Sequence, residues 1–195
     1  MRVIGGSAGS LQLQCPKGLR IRPTADIIRE TLFNSLGPIV AGAAFCDLYA
    51  GCGTVGIEAA SRGAAPVVFI ERTRLGVEAI RENAEHCDVA DVCEVIRGDV
   101  VARYMDAAER FGPFEVVFVD PPYGAAELPG LARRLVGGDG MAERGTVVLQ
   151  YPGRQKLEGV REPDRVKEFG ETELAFFFLE SETRTDAPAD GARAR

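Results

Sequence analysis

The sequence predicts an α/β fold built on a mainly parallel β-sheet with helices on both faces. From residue 44 onward, five short and nearly continuous apolar runs alternate with helical stretches. Such runs are typical of parallel strands, because these strands are buried on both faces and their crossover connections are usually helices. The predicted strands are 44–49, 67–71, 94–97, 116–120 and 146–151, and the predicted helices lie near 55–62, 74–87, 101–110 and 127–136.

Both ends of the chain add to this alternating core. The apolar pairs Val3-Ile4 and Leu11-x-Leu13 flank a stretch of Gly, Ser and Ala, which predicts an N-terminal hairpin. Thr24 is placed to cap a helix that runs to about Leu36 and stops at Gly37-Pro38.

At the other end, segments 165–169 and 174–179 flank Gly170-Glu171-Thr172, which predicts an antiparallel hairpin. We expect one domain over residues 1–180 and a disordered polar tail over 181–195.

Composition excludes several classes of protein. No apolar run approaches the roughly 20 residues of a membrane helix, and the first residues lack the apolar core of an export signal, so we expect a cytoplasmic protein without a membrane partner. The five cysteines are an odd number without a Cys-x-x-Cys pair, which argues against a disulfide framework and a zinc site.

The single histidine, His86, is expected at a solvated helix position. Catalysis should therefore need neither a metal nor a histidine, and a monomer is the default expectation.

The charge distribution bears on nucleic-acid binding. A net charge of −6 argues mildly against a polyanionic partner. Residues 1–30, however, hold five basic and two acidic side chains, a balance of +3 that leaves −9 for the rest. Any RNA-facing surface should therefore include the N-terminal arm.

A glycine-rich turn predicts a nucleoside cofactor site. The segment 51–56 fits the pattern G-x-G-x-x-G, leaves a predicted strand and enters a predicted helix, so that Gly51, Gly53 and Gly56 would let the backbone approach a ligand closely. Glu71 ends the next strand, 20 residues after Gly51, where a carboxylate can accept both ribose hydroxyls; a surface carboxylate is the alternative. A dinucleotide site would look similar up to this point.

Two carboxylates favour S-adenosylmethionine over a dinucleotide. Asp47 precedes Gly51 by four residues, where it can meet a cationic amino-acid group rather than a pyrophosphate. Asp99 follows the third strand, where it can bind the adenine amino group; its alternative is a helix N-cap. A ligand that carries a sulfonium and an ammonium suits an acidic lining.

The catalytic motif is Asp120-Pro121-Pro122-Tyr123, after the fourth strand. A base amine is a poor nucleophile because its lone pair is delocalised into the ring. The Asp120 carboxylate and the Pro121 carbonyl can accept its two protons and free that lone pair, while Pro122 adds no competing N–H donor. Tyr123 offers a flat face on which an extruded base can stack. The alternative is a proline-rich turn in which Tyr123 is a packing residue.

Several segments, read together, resemble the bacterial 16S rRNA guanine-N2 methyltransferase family over residues 1 to about 180. The catalytic tetrapeptide at 120–123 matches, and the Gly170-Glu171-Thr172 turn is similar. The other matching segments are Met1-Arg2-Val3-Ile4-x-Gly6, Arg22-Pro23-Thr24-x-Asp26, Arg29-Glu30-Thr31-Leu32-Phe33-Asn34-x-Leu36-Gly37, Asp47-Leu48-Tyr49-Ala50-Gly51-Cys52-Gly53 and Gly56-Ile57-Glu58-Ala59-x-Ser61-Arg62-Gly63-Ala64.

The resemblance implies a Rossmann-like class I S-adenosylmethionine-dependent methyltransferase fold with a seven-stranded sheet. It also implies methylation of one guanine N2 amine of 16S rRNA in the assembled or assembling small ribosomal subunit. Residues 1–37 would cover the active site and touch RNA. On this basis Thr24 is expected at the cofactor, and four basic residues are expected at the RNA: Arg2, Lys17, Arg20 and Arg22.

The chain departs from the family at two places. The hairpin tip 5–10 lacks the basic residues that members usually carry there, which suggests that an assembled particle supplies other contacts. Cys52 stands where Ser is commoner, a change that backbone binding should tolerate.

Three other functions stay open. An adenine-N6 DNA methyltransferase would share both motifs but normally carries an added target-recognition domain. An NAD-dependent oxidoreductase would share the glycines but need a catalytic Tyr-Lys or His arrangement. A ribosome-assembly binding module without catalysis would not require an intact Asp120 and Tyr123.

Overall fold

A computed structural model describes residues 1–16 and 26–180. The strands are Phe45–Leu48 (β1), Val67–Glu71 (β2), Cys93–Arg97 (β3), Phe114–Val119 (β4), Met141–Pro152 (β5), Arg165–Phe169 (β6) and Thr172–Phe178 (β7). The helices are Asp26–Leu36 (α1), Thr54–Ser61 (α2), Arg74–His86 (α3), Val100–Phe111 (α4) and Leu128–Val136 (α5), with short 3₁₀ turns at Gly37–Val40 and Ala90–Val92.

The seven strands form one sheet in the order β3-β2-β1-β4-β5-β7-β6. The first five strands in that order are parallel, and β7 pairs antiparallel with both β5 and β6. The chain leaves β1 toward β2 on one side and leaves β4 toward β5 on the other. The crevice between β1 and β4 is therefore a topological switch point, where open α/β sheets bind their ligands.

Two hydrophobic cores cover the two faces of the sheet, as the alternation of strands and helices predicts. Alternate residues of each central strand enter opposite cores: Phe118 lies in one, and Val117 and Val119 lie in the other. All four residues of β1 and all five of β2 are buried. Burial on both faces explains why the sequences of these strands are almost continuously apolar.

The largest difference between a predicted and an observed strand boundary is at the start of β5. The apolar run begins at Thr146, but the strand begins at Met141 and includes the exposed Glu143 and Arg144. Pairing of Met141 with Phe114, followed by a register shift before Val116, extends the strand through backbone hydrogen bonds that do not depend on side-chain polarity.

The N-terminal hairpin forms with a single bridge between Arg2 and Gln12. The cysteine count argued against a disulfide framework, but the structure has a disulfide between Cys15 and Cys52, whose Cα atoms are 5.6 Å apart. Counting cysteines could not find this pair, because 37 residues separate them and only the fold brings them together. The helix cap predicted at Thr24 and the tail 181–195 lie outside the described residues.

Two observations concern surfaces. His86 is exposed at the end of α3, as expected. Within residues 1–16 and 26–180, no helix combines the length and apolar character needed to cross a bilayer.

Candidate active site

A cavity of about 520 Å³ opens at the carboxyl edge of the sheet, at the switch point between β1 and β4. Its volume is in the usual range for small-molecule sites. The cavity brings together both sequence motifs, although more than 60 residues separate them. Its lining comprises Asp47, Tyr49, Ala50, Gly51, Thr54, Val55, Glu71, Arg72, Thr73, Asp99, Val100, Phe118, Asp120, Pro121, Pro122, Tyr123, Glu127, Gln150, Tyr151, Pro152 and Thr172.

The three predicted glycines have different positions. Gly51, with φ of 59°, lines the cavity. Gly53 and Gly56 are absent from the described lining. Gly53 is the N-cap of α2 in the left-handed region, with φ of 79°. At Gly56, a Cβ would overlap the Phe69 ring, so this glycine serves the packing of α2 against β2.

Glu71 lies at the end of β2, beside the glycine loop, and is only 8% exposed. One carboxylate oxygen accepts from the Gly51 N–H at 3.0 Å. The other accepts from the Thr73 N–H and hydroxyl, both at 2.7 Å. Because an ionised carboxylate has about four acceptor positions, these bonds orient Glu71 and leave it capacity for a ligand hydroxyl.

Asp47 is buried at the floor of the cavity and accepts a 2.9 Å hydrogen bond from the Gly56 N–H. Burial raises the pKa of its carboxyl to about 8; the Gly56 N–H opposes this rise, and the negative charges of Asp120 and Glu71 add to it. Three carboxylates thus share one site, which therefore favours a cationic ligand.

Asp99 is the N-cap of α4. One of its carboxylate oxygens accepts from the Val101 and Ala102 N–H groups, at 3.0 and 3.2 Å. The capping alternative considered from the sequence is thus confirmed. Asp99 also lines the cavity, so a contact with a ligand's amino group is compatible with the cap.

The Asp-Pro-Pro-Tyr segment follows β4 on the opposite wall. The Asp120 N–H donates to the Leu48 carbonyl at 3.3 Å, which holds the start of the motif beside the end of β1. The Pro122 carbonyl accepts from the Ala125 N–H at 3.2 Å and so closes the turn. Tyr123 is 54% exposed and lines the cavity, so about half of its surface is accessible to a ligand.

Sequence reasoning missed several residues of the cavity. The Tyr49 hydroxyl donates to Glu127 at 3.2 Å and so joins the loop after β1 to the start of α5; burial and this carboxylate raise the pKa of Tyr49. Gln150 and Tyr151, at the end of β5, also line the cavity. Tyr49 lies within the matching segment 47–53, but the motif gave it no role. No motif marks Gln150 and Tyr151, although a polar residue near the end of an apolar strand, as at Gln150, was an available signal.

Buried Glu58 on α2 anchors the N-terminal hairpin close to the cofactor loop. It accepts from the Ile4 and Gly5 N–H groups, at 2.6 and 2.8 Å, and from the Arg62 guanidinium at 2.9 Å. Arg29, also buried, lies 3.8 Å from Glu58 and donates to the Arg2 carbonyl. These charges compensate one another, as buried charges must.

A second anchor joins the hairpin directly to the glycine loop. The Asn83 amide donates to the carbonyls of Gln14 and Cys52, both at 2.9 Å, and its oxygen accepts from the Gln14 N–H. Together with the Cys15–Cys52 disulfide, these bonds attach residues 14–15 to the wall of the cavity.

The expected RNA contacts are only partly described. The Arg2 side chain is 61% exposed, and its Nε lies 3.9 Å from Asp26. Lys17, Arg20, Arg22 and the cofactor candidate Thr24 lie outside the described residues.

Comparison with known sequences identifies the family. The sequence profile of the family described as conserved hypothetical protein 95 matches residues 1–178. The chain belongs to this family. It is 32% identical over 157 residues to YlbH of Bacillus subtilis, named as a candidate rRNA methyltransferase, and the match covers 80% of this chain and 85% of YlbH. It is 35% identical over 123 residues to ribosomal RNA small subunit methyltransferase D of Escherichia coli, covering 63% of this chain and 60% of that protein.

Solved structures of methyltransferases have a similar fold. A structure of yhhF from Escherichia coli, titled as a candidate methyltransferase, superposes with a TM-score of 0.78 at 28% identity and covers 93% of this chain and 99% of its own. An RNA methyltransferase from Salinibacter ruber, solved with S-adenosyl-L-homocysteine, has a TM-score of 0.63 at 23% identity and covers 85% and 98%. The chain therefore has the Rossmann-like fold of S-adenosylmethionine-dependent methyltransferases.

Proposed function

We propose that this protein transfers the methyl group of S-adenosylmethionine to the exocyclic N2 amine of a guanine in small-subunit 16S rRNA. The observation that carries this proposal is the single cavity lined by both Gly51 and the Asp120–Tyr123 motif. The names of the related proteins support rRNA as the substrate. The guanine amine is inferred from the motif and from the resemblance of the N-terminal segments.

The residues present fit S-adenosylmethionine. Asp47 would accept the ammonium of its methionine part, Glu71 the ribose hydroxyls and Asp99 the adenine amino group. The carboxylates in the cavity fit a ligand with two positive charges and disfavour a dinucleotide pyrophosphate. Their mutual repulsion contributes to the raised pKa of Asp47. When bound, the cofactor supplies an electrophilic methyl group.

The Asp120 carboxylate and the Pro121 carbonyl would accept the two N2 protons of the base and localise the nitrogen lone pair. Transfer would form the N2–CH₃ bond as the S–CH₃ bond breaks, with the bond electrons left on sulfur. Asp120 would accept the proton that the methylated, positively charged nitrogen then loses. Tyr123 would stack on the base and hold the nitrogen in line with the methyl carbon, an orientation effect of several kcal/mol.

The test is methyl transfer from labelled S-adenosylmethionine to unmethylated small ribosomal subunits, with free rRNA and duplex DNA alongside, followed by nucleoside analysis. We expect N2-methylguanosine from the rRNA. N6-methyladenine from DNA would keep the fold and refute the substrate. Cofactor binding without transfer to any of the three would favour a binding module in ribosome assembly.

Asp120→Ala separates catalysis from binding. It should lower turnover by about 10³-fold or more, since it removes a transition-state contact, and leave S-adenosyl-L-homocysteine binding nearly unchanged. Asp106→Ala, at an exposed position on α4, is the matched control. Turnover that survives Asp120→Ala would refute the mechanism.

A further inference from the structure

Gln150 is a residue of the cavity whose buried polar group has no use in the steps derived above. It lies near the end of β5, is 5% exposed and lines the cavity. Within the described part of the chain, its Oε1 atom has no hydrogen-bond partner. A buried acceptor without a donor costs free energy, so an apolar residue would suit this strand better unless a ligand supplies the donor.

The strand register puts Gln150 next to the catalytic motif. Val119 of β4 pairs with Leu149 of β5, so the following residues of the two parallel strands are Asp120 and Gln150. Neighbouring strands lie about 4.8 Å apart. Val148 belongs to the same core as Phe118, and by strand alternation Gln150 projects from that same face. Its carboxamide therefore enters the cavity beside the proposed amine clamp.

The chemistry of the neighbouring base atoms matches a carboxamide. In guanine, the N2 amine is adjacent to the N1–H donor, and the O6 acceptor follows along the same edge. A glutamine side chain carries an acceptor oxygen and an NH₂ donor side by side. With N2 held at Asp120, Oε1 can accept from N1–H while the NH₂ group faces O6. Adenine has an acceptor at N1 and would leave Oε1 without a donor.

From this juxtaposition we propose that Gln150 is a specificity-determining residue that binds the N1–H of the target guanine. The inference rests on the proposed function and names the feature of the base that the site recognises. It assigns Gln150 to the base rather than to the cofactor, because the residue lies on the β4–β5 side of the cavity, whereas Asp47, Gly51 and Glu71 lie on the β1–β2 side.

Two near-isosteric substitutions test the contact. Gln150→Met removes both polar atoms and keeps the length of the side chain, whereas Gln150→Glu keeps an acceptor oxygen. With small subunits and saturating S-adenosylmethionine, Gln150→Met should slow methyl transfer about 10- to 100-fold, the range for a lost buried hydrogen bond. Gln150→Glu should recover most of that loss. Both variants should bind S-adenosyl-L-homocysteine with nearly wild-type affinity.

A change in the base provides the complementary test. Small subunits are reconstituted with 2,6-diaminopurine at the position that wild-type enzyme methylates, which keeps the N2 amine but turns N1 into an acceptor. Wild-type enzyme should react with this base about tenfold or more slowly than with guanine, and Gln150→Met should discriminate by less than about threefold. If the role of Gln150 were purely structural, Gln150→Met and wild type would have the same ratio of rates on guanine and 2,6-diaminopurine.

The outcomes separate the two proposals. Failure of wild-type enzyme to form N2-methylguanosine would refute the proposed function and this inference with it. Wild-type activity that Gln150→Met leaves unchanged would refute the inference alone. Equal losses in Gln150→Met and Gln150→Glu, or a loss of S-adenosyl-L-homocysteine binding, would also overturn it, since they would indicate a packing role or a cofactor contact.

Discussion

Replacing Asp47 by asparagine tests whether burial and the neighbouring carboxylates raise the pKa of the Asp47 carboxyl. The pKa of the Asp47 carboxyl rises from 3.8 to about 8 in the folded protein, first because of burial and then because of Asp120 and Glu71. In the unfolded chain the carboxyl titrates near its ordinary value. Asparagine keeps the shape and an oxygen that can accept from the Gly56 N–H, but it has no titrating proton.

The raised pKa determines the direction in which folding stability changes with pH. The contribution of Asp47 to folding stability is complete below the unfolded pKa of 3.8 and is lost as the pH rises toward about 8. Within this window, wild type loses about 1.4 kcal/mol per pH unit through Asp47. The free energy of unfolding of Asp47→Asn should therefore rise relative to wild type by roughly 3 kcal/mol between pH 5 and pH 7.

Urea unfolding of both proteins at pH 5, 6, 7 and 8, without cofactor, measures this difference. Taking the difference between the two proteins removes every other titrating group. Asp106→Asn, at an exposed carboxylate, is the matched control. A difference between Asp47→Asn and wild type that stays flat from pH 5 to pH 8 would show that the carboxyl titrates near its ordinary value, and the electrostatic reasoning would then be wrong.

The same carboxyl links cofactor binding to proton release. The raised pKa favours the protonated form of Asp47 at pH 7, and a bound ammonium would favour its ionised form. Calorimetric titration with S-adenosyl-L-homocysteine in buffers of different ionisation enthalpy should detect up to about one proton released by wild type and fewer by Asp47→Asn.

Two further predictions concern stability. Free-thiol titration of the unreduced, denatured protein should find three thiols, and dithiothreitol should lower the free energy of unfolding by about 3–4 kcal/mol, because the Cys15–Cys52 bond closes a 37-residue separation; five free thiols would exclude the bond. Gly56→Ala should destabilise the protein by about 1–3 kcal/mol through overlap with the Phe69 ring. Gly130→Ala, in α5 with open space around it, should be neutral or slightly stabilising in the same thermal-unfolding assay, and equal effects of the two substitutions would contradict the packing argument.

Much of the fold followed from the sequence because parallel sheets obey simple rules. Buried strands have continuously apolar sequences, and their connections have helical patterns. Residues that follow such strands meet at the carboxyl edge of the sheet. This is why Asp47, Glu71, Asp99 and Asp120 could be placed around one site from their positions at or just after the ends of strands 1 to 4. The strand boundaries were less predictable, since backbone pairing carries β5 through polar residues as far back as Met141.

Other features depend on contacts that sequence position does not determine. Gly53 and Gly56 share a motif with Gly51, yet a Cβ at either position would press on Ile80 or Phe69, so packing by itself requires a glycine there. The Cys15–Cys52 bond joins residues brought together by the folded N-terminal hairpin and the glycine loop.

The sequence alone determined the fold class, the order of the elements and the two motifs on which the proposed chemistry rests, because these are encoded in local periodicity and spacing. Only the tertiary structure decided that Asp47 is buried beside two other carboxylates, and that the Gln150 oxygen lies near Asp120 without a hydrogen-bond partner among residues 1–16 and 26–180. Burial, electrostatic coupling and hydrogen-bond satisfaction depend on distances between side chains. Between residues far apart in the chain, those distances are set by the packing of the whole sheet.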